Sequence, residues 1–138
     1  MRRRDLIVGL AALLLAAWSA WVLEGARQGV IIEELSAGQT PVTQMSDGTG
    51  GPAVVVAHGF AGSRQMMQAY GLTLARAGYT VYAFDFLGHG RHSVPMGGDV
   101  TSVEGTTRLL VDQTAEVVAM ARRQGDGAAV ALLGHSMA

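Results

Sequence analysis

Apolar residues are spread unevenly along this chain. From Leu6 to Leu23 (LIVGLAALLLAAWSAWVL) no charge interrupts the run. A helix of that length measures about 27 Å, close to the ~30 Å hydrocarbon core of a bilayer. Arg2, Arg3 and Arg4 precede it and Glu24 follows. Under the positive-inside rule this pattern predicts an uncleaved single-pass anchor over 6–23. Residues 1–5 then form a cytoplasmic basic N-terminus, 24–29 a linker, and 30–138 lie on the far side of the membrane. Trp18 and Trp21 suit the outer interface, where an amphipathic ring is at home. Export after signal cleavage is the alternative, but the nearest cleavage options place Trp18 before Ala20 or Glu24 before Ala26, poor matches to a small-residue site.

Beyond the anchor the pattern shortens and alternates. Val30–Leu35 and Thr40–Met45 read as two modest strands split by Ala37-Gly38, with Pro41 suggesting an edge position for the second. Ala53–Ala57 (AVVVA), Thr80–Phe84 (TVYAF) and Ala128–Leu133 (AAVALL) are short continuous apolar runs, the mark of strands buried in a parallel sheet. Between them, Ser63 is placed to cap a helix running to about Ala77 and closed by Gly78. Thr101-x-x-Glu104 resembles a capping box for a helix through about Arg123, with Leu109, Leu110, Ala115, Val117, Val118 and Ala121 on its apolar face. Strand, helix, strand, helix, strand predicts an α/β domain with parallel strands and crossover helices.

Composition narrows the function classes. The 138 residues carry 10 cationic side chains, all Arg, against 11 acidic ones, for a net charge of −1. That balance argues against a nucleic-acid binder. The absence of cysteine removes disulfides, cysteine-based zinc sites and thiol catalysis together. No third ligand stands at a recognisable spacing from His89-x-x-His92, so neither a metal nor any other cofactor is expected.

Chemistry concentrates where the apolar strands end. The last run passes directly into Gly134-His135-Ser136-Met137-Ala138. A G-x-S-x-G-like turn after a buried strand is a nucleophile elbow, a reversal sharp enough to require small flanking residues and to hold the serine hydroxyl out at the sheet edge. Gly134 and Ala138 meet that demand, with Ala in place of the second Gly. His58-Gly59-Phe60 follows the first buried run, and Asp85-x-x-Gly88-His89-Gly90 follows the second.

With these three motifs, HGFAGS at 58–63, DFLGHGRHS at 85–93 and GHSMA at 134–138, the chain resembles the α/β-hydrolase superfamily and its lipase/esterase-like branch. One residue is inserted before Ser93 relative to the frequent D-x-x-G-H-G-x-S pattern. The resemblance implies an incomplete α/β-hydrolase fold: the N-terminal half of a mostly parallel sheet with flanking helices, truncated at the elbow and preceded by a single transmembrane helix. It implies Ser136 as nucleophile, the backbone N–H groups of Phe60 and Met137 as oxyanion hole, and His58, Gly59, Gly134, His135 and Ala138 as supporting residues. The reaction implied is acyl transfer through a serine acyl-enzyme, on a small-molecule ester or lipid-like substrate, with amides and thioesters as alternatives. Serine at the elbow argues against the dehalogenase and epoxide-hydrolase branches, which resemble this fold but use aspartate there.

A serine at its ordinary pKa needs a general base, and the base needs an orienting acid. In this fold both follow the serine, so the expectation is an N-terminal fragment of a longer product, inactive alone. His58, His89, His92 and His135 all fall at strand ends, yet none reads as the base; the resemblance implies that His58, His89 and His135 shape loops. Asp85 reads as a loop anchor, and Met66 and Met67 as packing. A dinucleotide site fits poorly, because Gly59-Phe60-Ala61-Gly62 is not G-x-G-x-x-G. A non-catalytic hydrolase-like scaffold or interaction module is the other reading of the same fold.

Overall fold

The computed structural model describes residues 3–98 and 103–136. An N-terminal helix, α1 (Arg3–Gly25), has no buried residue. The domain after it is one five-stranded sheet: β1 (Ile31–Ala37), β2 (Thr40–Ser46), β3 (Ala53–Ala57), β4 (Thr80–Phe84) and β5 (Val130–Gly134). Among the described residues, α2 (Gln68–Arg76) lies between β3 and β4, and α3 (Arg108–Gln124), entered through a short helical segment at Val103–Thr107, lies between β4 and β5. The strand order is β1-β2-β4-β3-β5. β1 and β2 form an antiparallel hairpin and β2 pairs antiparallel with β4, whereas β3 runs parallel to both β4 and β5.

Alternation along the central strands sorts the core into two layers, because successive side chains in a strand point to opposite faces. Val55, Ala57, Tyr82 and Phe84 meet Val117, Met120 and Ala121 of α3 on one face. Val54, Val56, Val81 and Ala83 meet Leu72 and Ala75 of α2 on the other. Every residue of β3 is buried, as its unbroken apolar run requires. This is an α/β architecture whose two central strands end side by side.

Several expected details differ. β2 is not an edge strand, since β4 pairs with it on the side away from β1. Pro41 is tolerated there because Asp85 N–H donates to its carbonyl at 3.2 Å, while the Asp85 carbonyl takes a hydrogen bond from the Gln113 amide at 3.1 Å. A side chain thus supplies the donor that proline lacks. α2 starts at Gln68 and not at Ser63, because residues 63–68 form i→i+3 turns. There the Arg64 N–H is met by the Asp85 carboxylate at 2.7 Å, a cap reached across 21 residues instead of from a neighbouring serine.

Met67 is buried as expected, but Met66 is 68% exposed. β5 begins two residues late and is not a buried strand: it pairs with β3 alone, and Leu132 is 58% exposed. On α3, Val117 and Ala121 are buried, but Ala115 is exposed and Gln113 is buried in the stripe instead. Thr101, half of the expected capping box, lies outside the described residues, as do Met137 and Ala138.

Candidate active site

Two strand ends build the site. The parallel pairing of β3 with β5 runs from Ala53↔Val130 to Ala57↔Gly134, and His135 N–H extends it by donating to the Ala57 carbonyl at 3.1 Å. The residues that leave both strands, His58-Gly59-Phe60 and His135-Ser136, are therefore held next to each other. A Cβ added to Gly59 would lie 2.8 Å from the Ser136 Cβ and 2.9 Å from the His135 carbonyl oxygen. Only a residue without a side chain lets the two loops approach so closely.

Ser136 adopts φ 61°, a left-handed conformation that costs a non-glycine residue energy and that surrounding structure must enforce. The same strain recurs across the gap, where Ala61 has φ 53° in the turn closed by Gly62 N–H donating to the Gly59 carbonyl at 3.0 Å. Of the three non-glycine residues with positive φ among those described, these two flank the site and only Asp126 lies elsewhere. The Phe60 N–H makes no hydrogen bond among the described residues, and its side chain is 75% exposed.

Of the four histidines, His58 is held by both of its ring nitrogens. His58 is almost wholly buried. Its Nε2 accepts a hydrogen bond from Phe86 N–H at 3.1 Å, which places the ring proton on Nδ1, where it donates to the Gly59 carbonyl at 2.8 Å. Both nitrogens are spent, and burial holds the ring below its ordinary pKa of 6.5. His92 Nδ1 accepts from Val94 N–H at 3.0 Å, and burial lowers its pKa too. His89 Nδ1 donates to the Leu87 carbonyl at 2.9 Å. His135 packs its Nδ1 against the space beside Gly59.

Asp85 anchors the loops around the site. Its carboxylate is 1% exposed and accepts from Arg64 N–H at 2.7 Å and Arg91 N–H at 2.9 Å, with Arg64 Nε 3.6 Å away. One buried carboxylate therefore ties the turn after Gly59 to the loop after β4. Gly90 is required beside it, since a Cβ there would collide with that carboxylate. Sequence reasoning missed Arg64 and Gln113 as partners in this arrangement. Gln113 donates to Thr40 Oγ1 at 2.9 Å and to the Asp85 carbonyl, and accepts from Leu87 N–H at 3.0 Å.

Beside the strand ends opens an apolar cavity of about 870 Å³, lined by Phe60, Phe86 and Gly134 near the serine and by Leu110, Val118 and Leu132 farther along α3 and β5. Among the described residues no group of three His, Asp or Glu side chains could hold a metal ion.

A mixed sheet with helices on both faces and a strained serine turn after its last strand is the framework of an α/β hydrolase. A family model described as serine aminopeptidase, S33, matches residues 51–137, more than half of the chain, and the chain belongs to that α/β-hydrolase family. It is similar to a solved structure from Thermus thermophilus at 26% identity and TM-score 0.59, covering 78% of this chain and 47% of that one. The thioesterase domain from the curacin biosynthetic pathway is similar at 27% identity and TM-score 0.55, over 78% of this chain and 36% of that one. A membrane phospholipase A, described as a bacterial virulence factor, shares the fold at 22% identity and TM-score 0.54, over 97% of this chain and 44% of that one. The chain spans less than half the length of each of these structures. Among curated proteins none matches it.

Proposed function

We propose that this chain carries the nucleophile half of a membrane-anchored serine hydrolase acting on esters, with Ser136 as the attacking group. The observation that carries the reading is the left-handed Ser136 at the end of β5, pressed against Gly59 of the neighbouring loop. A strained serine at a strand end, beside a Phe60 backbone N–H that makes no hydrogen bond among the described residues, is the arrangement acyl transfer needs. The hydroxyl attacks the acyl carbon, charge develops on the carbonyl oxygen, and the N–H groups of Phe60 and Met137 stabilise it. Collapse expels the alcohol and leaves an acyl-serine, which water then hydrolyses. The apolar cavity beside Phe60 and Gly134 suits an uncharged, lipid-like substrate.

His58 does not serve as the general base in this reading, because both its ring nitrogens are engaged; the base and its acid are expected, as this fold orders them, after the serine. The isolated chain is accordingly expected to be inactive. α1 supports the membrane part of the proposal: it is long and apolar enough to cross a bilayer, although a signal sequence has the same length and composition. Its flanking arginines favour a cytoplasmic N-terminus with the hydrolase domain outside.

The experiment is to read the encoding DNA past the Ala138 codon and express whatever product it specifies. Hydrolysis of p-nitrophenyl esters and aminoacyl p-nitroanilides is then compared with that of the 138-residue chain. Ester turnover only by a product with a downstream acid and histidine, lost in Ser136→Ala, supports the proposal. Undiminished activity in Ser136→Ala refutes it, and a stop codon directly after Ala138 favours the non-catalytic scaffold. The lack of native cysteine makes Gly97→Cys a clean topology probe, with labelling from outside the cell expected.

A further inference from the structure

The register of the sheet fixes which of its ends carries the serine and which the N-terminal helix. β1, β3, β4 and β5 run in one direction and β2 runs against them. One row of paired residues crosses the sheet at Ile32, Met45, Val81, Val54 and Ala131. A second row crosses three residues farther along, at Leu35, Val42, Phe84, Ala57 and Gly134. Ser136 lies just beyond the second row, whereas the residues joining α1 to β1 lie just before the first. At about 3.3 Å per strand residue, roughly 15–20 Å of sheet separates the serine from that junction.

The junction is short and folded, not a loose tether. Arg27 N–H donates to the Glu24 carbonyl at 3.0 Å, Gln28 N–H to that of Gly25 at 3.2 Å, and Val30 N–H to that of Arg27 at 3.2 Å. The Arg76 guanidinium, in the last turn of α2, donates to the carbonyls of Ala26 and Gln28. α2 leads into the start of β4, so Arg76 fastens the junction at the end of the sheet where the parallel strands begin. The connections at that end, 47–52, 77–79 and 125–129, are short and hold six glycines. Two of them pack against each other, since a Cβ on Gly51 would collide with the Gly78 carbonyl. The longer connections, after β3 and β4, open at the opposite end, around the serine.

We propose that the serine edge faces away from the bilayer that holds α1, so that the site takes an ester dispersed in water and not a lipid of that bilayer. The inference rests on the anchored-hydrolase reading above and names its substrate class. With α1 across a bilayer, a folded junction of five residues keeps the starts of the strands next to the headgroups. The strained serine, and the cavity beside Phe60 and Gly134, then stand a sheet's height off the surface. A lipid of the anchoring bilayer reaches them only by leaving it and exposing its chains to water, which the hydrophobic effect opposes. An ester already in water meets no such barrier.

The test places single cysteines in the cysteine-free chain, reconstituted whole into phosphatidylcholine vesicles. Ala129→Cys marks the end where the strands begin, and Gly97→Cys marks the serine end, next to the cavity residue Met96; both positions are exposed. A fluorophore on each is quenched by lipids that carry a nitroxide on the headgroup. Quenching is expected to be several-fold stronger at position 129 than at position 97. Equal or stronger quenching at position 97, in a chain that floats with the vesicles, overturns the orientation. A chain that does not float overturns the anchor, and this proposal with it. A product that hydrolyses esters is then given p-nitrophenyl butyrate in solution and p-nitrophenyl palmitate held in its own vesicles. Relative to the same two esters in detergent, the vesicle-held ester is expected to be cleaved several-fold more slowly, and an unchanged ratio overturns the substrate assignment. The quenching needs no turnover, so failure of the hydrolase reading and failure of the orientation are separate results.

Discussion

Gly59 and Ser136 come from loops 77 positions apart in sequence, yet a Cβ on the first would stand 2.8 Å from the Cβ of the second. Gly59→Ala must therefore push the two strand ends apart or distort the serine turn. The expected cost is about 1–3 kcal/mol, as for other overpacked sites. Gly97, where an added Cβ meets nothing within 4 Å, is the control, and Gly97→Ala is expected to stay within about 0.5 kcal/mol of the parent. Paired thermal melts check the contrast, and equal stabilities would show that the loops are not in contact.

Acid is expected to weaken the fold through its buried imidazoles. Burial lowers the pKa of His58 and of His92 from an ordinary 6.5. The unfolded chain therefore binds protons on these rings at a higher pH than the folded chain does. Their contribution is fully present above about pH 6.5 and is lost as pH falls from there through the folded values. Protonating His58 Nε2 also removes the acceptor for Phe86 N–H. Denaturant melts across pH 7.5 to 5 should show stability falling on acidification, with a smaller fall in His58→Gln. An unchanged slope in that variant would exclude His58 as the group responsible.

Gln113 joins three elements that apolar packing alone does not join. Its amide serves Thr40 of β2, the Asp85 carbonyl after β4 and the Leu87 N–H of the next turn. Gln113→Leu keeps the volume but leaves the Leu87 donor and the Asp85 carbonyl unsatisfied. The expected loss is about 2–6 kcal/mol, because each of the two orphaned polar groups costs about 1–3 kcal/mol. Gln113→Glu, which keeps an acceptor for Leu87 but loses the donor, should fall between the two in chemical denaturation.

Legibility in the sequence followed the range of the interactions. β3 and β4 matched their apolar runs residue for residue, because a strand covered on both faces leaves a continuous apolar signature. The serine turn was readable because its geometry demands small neighbours next to a strand. Features set by distant partners were not readable. The entry to α2 depends on a carboxylate from the loop after β4, and the interior place of Pro41 depends on an amide from α3. Gln113 offered no local mark, since a glutamine on a helix stripe usually faces water. β5 read as buried because its composition is apolar, but burial depends on what covers a strand and not on the strand itself.

The left-handed backbone at Ser136 gives a prediction that separates conformation from chemistry. At φ 61° a β-carbon is unfavourable, whatever the side chain beyond it. Ser136→Ala keeps the β-carbon and is expected to leave stability within about 0.5 kcal/mol of the parent. Ser136→Gly removes the clash, and after the added entropy of the unfolded chain is counted it should stabilise the fold by roughly 0.5–1 kcal/mol. In a product that hydrolyses esters, both variants should lose activity alike, because both lack the hydroxyl. A glycine variant no more stable than the alanine variant would mean that the turn relaxes out of the left-handed region. The strain assigned to the serine would then be absent, and with it the main structural support for its role.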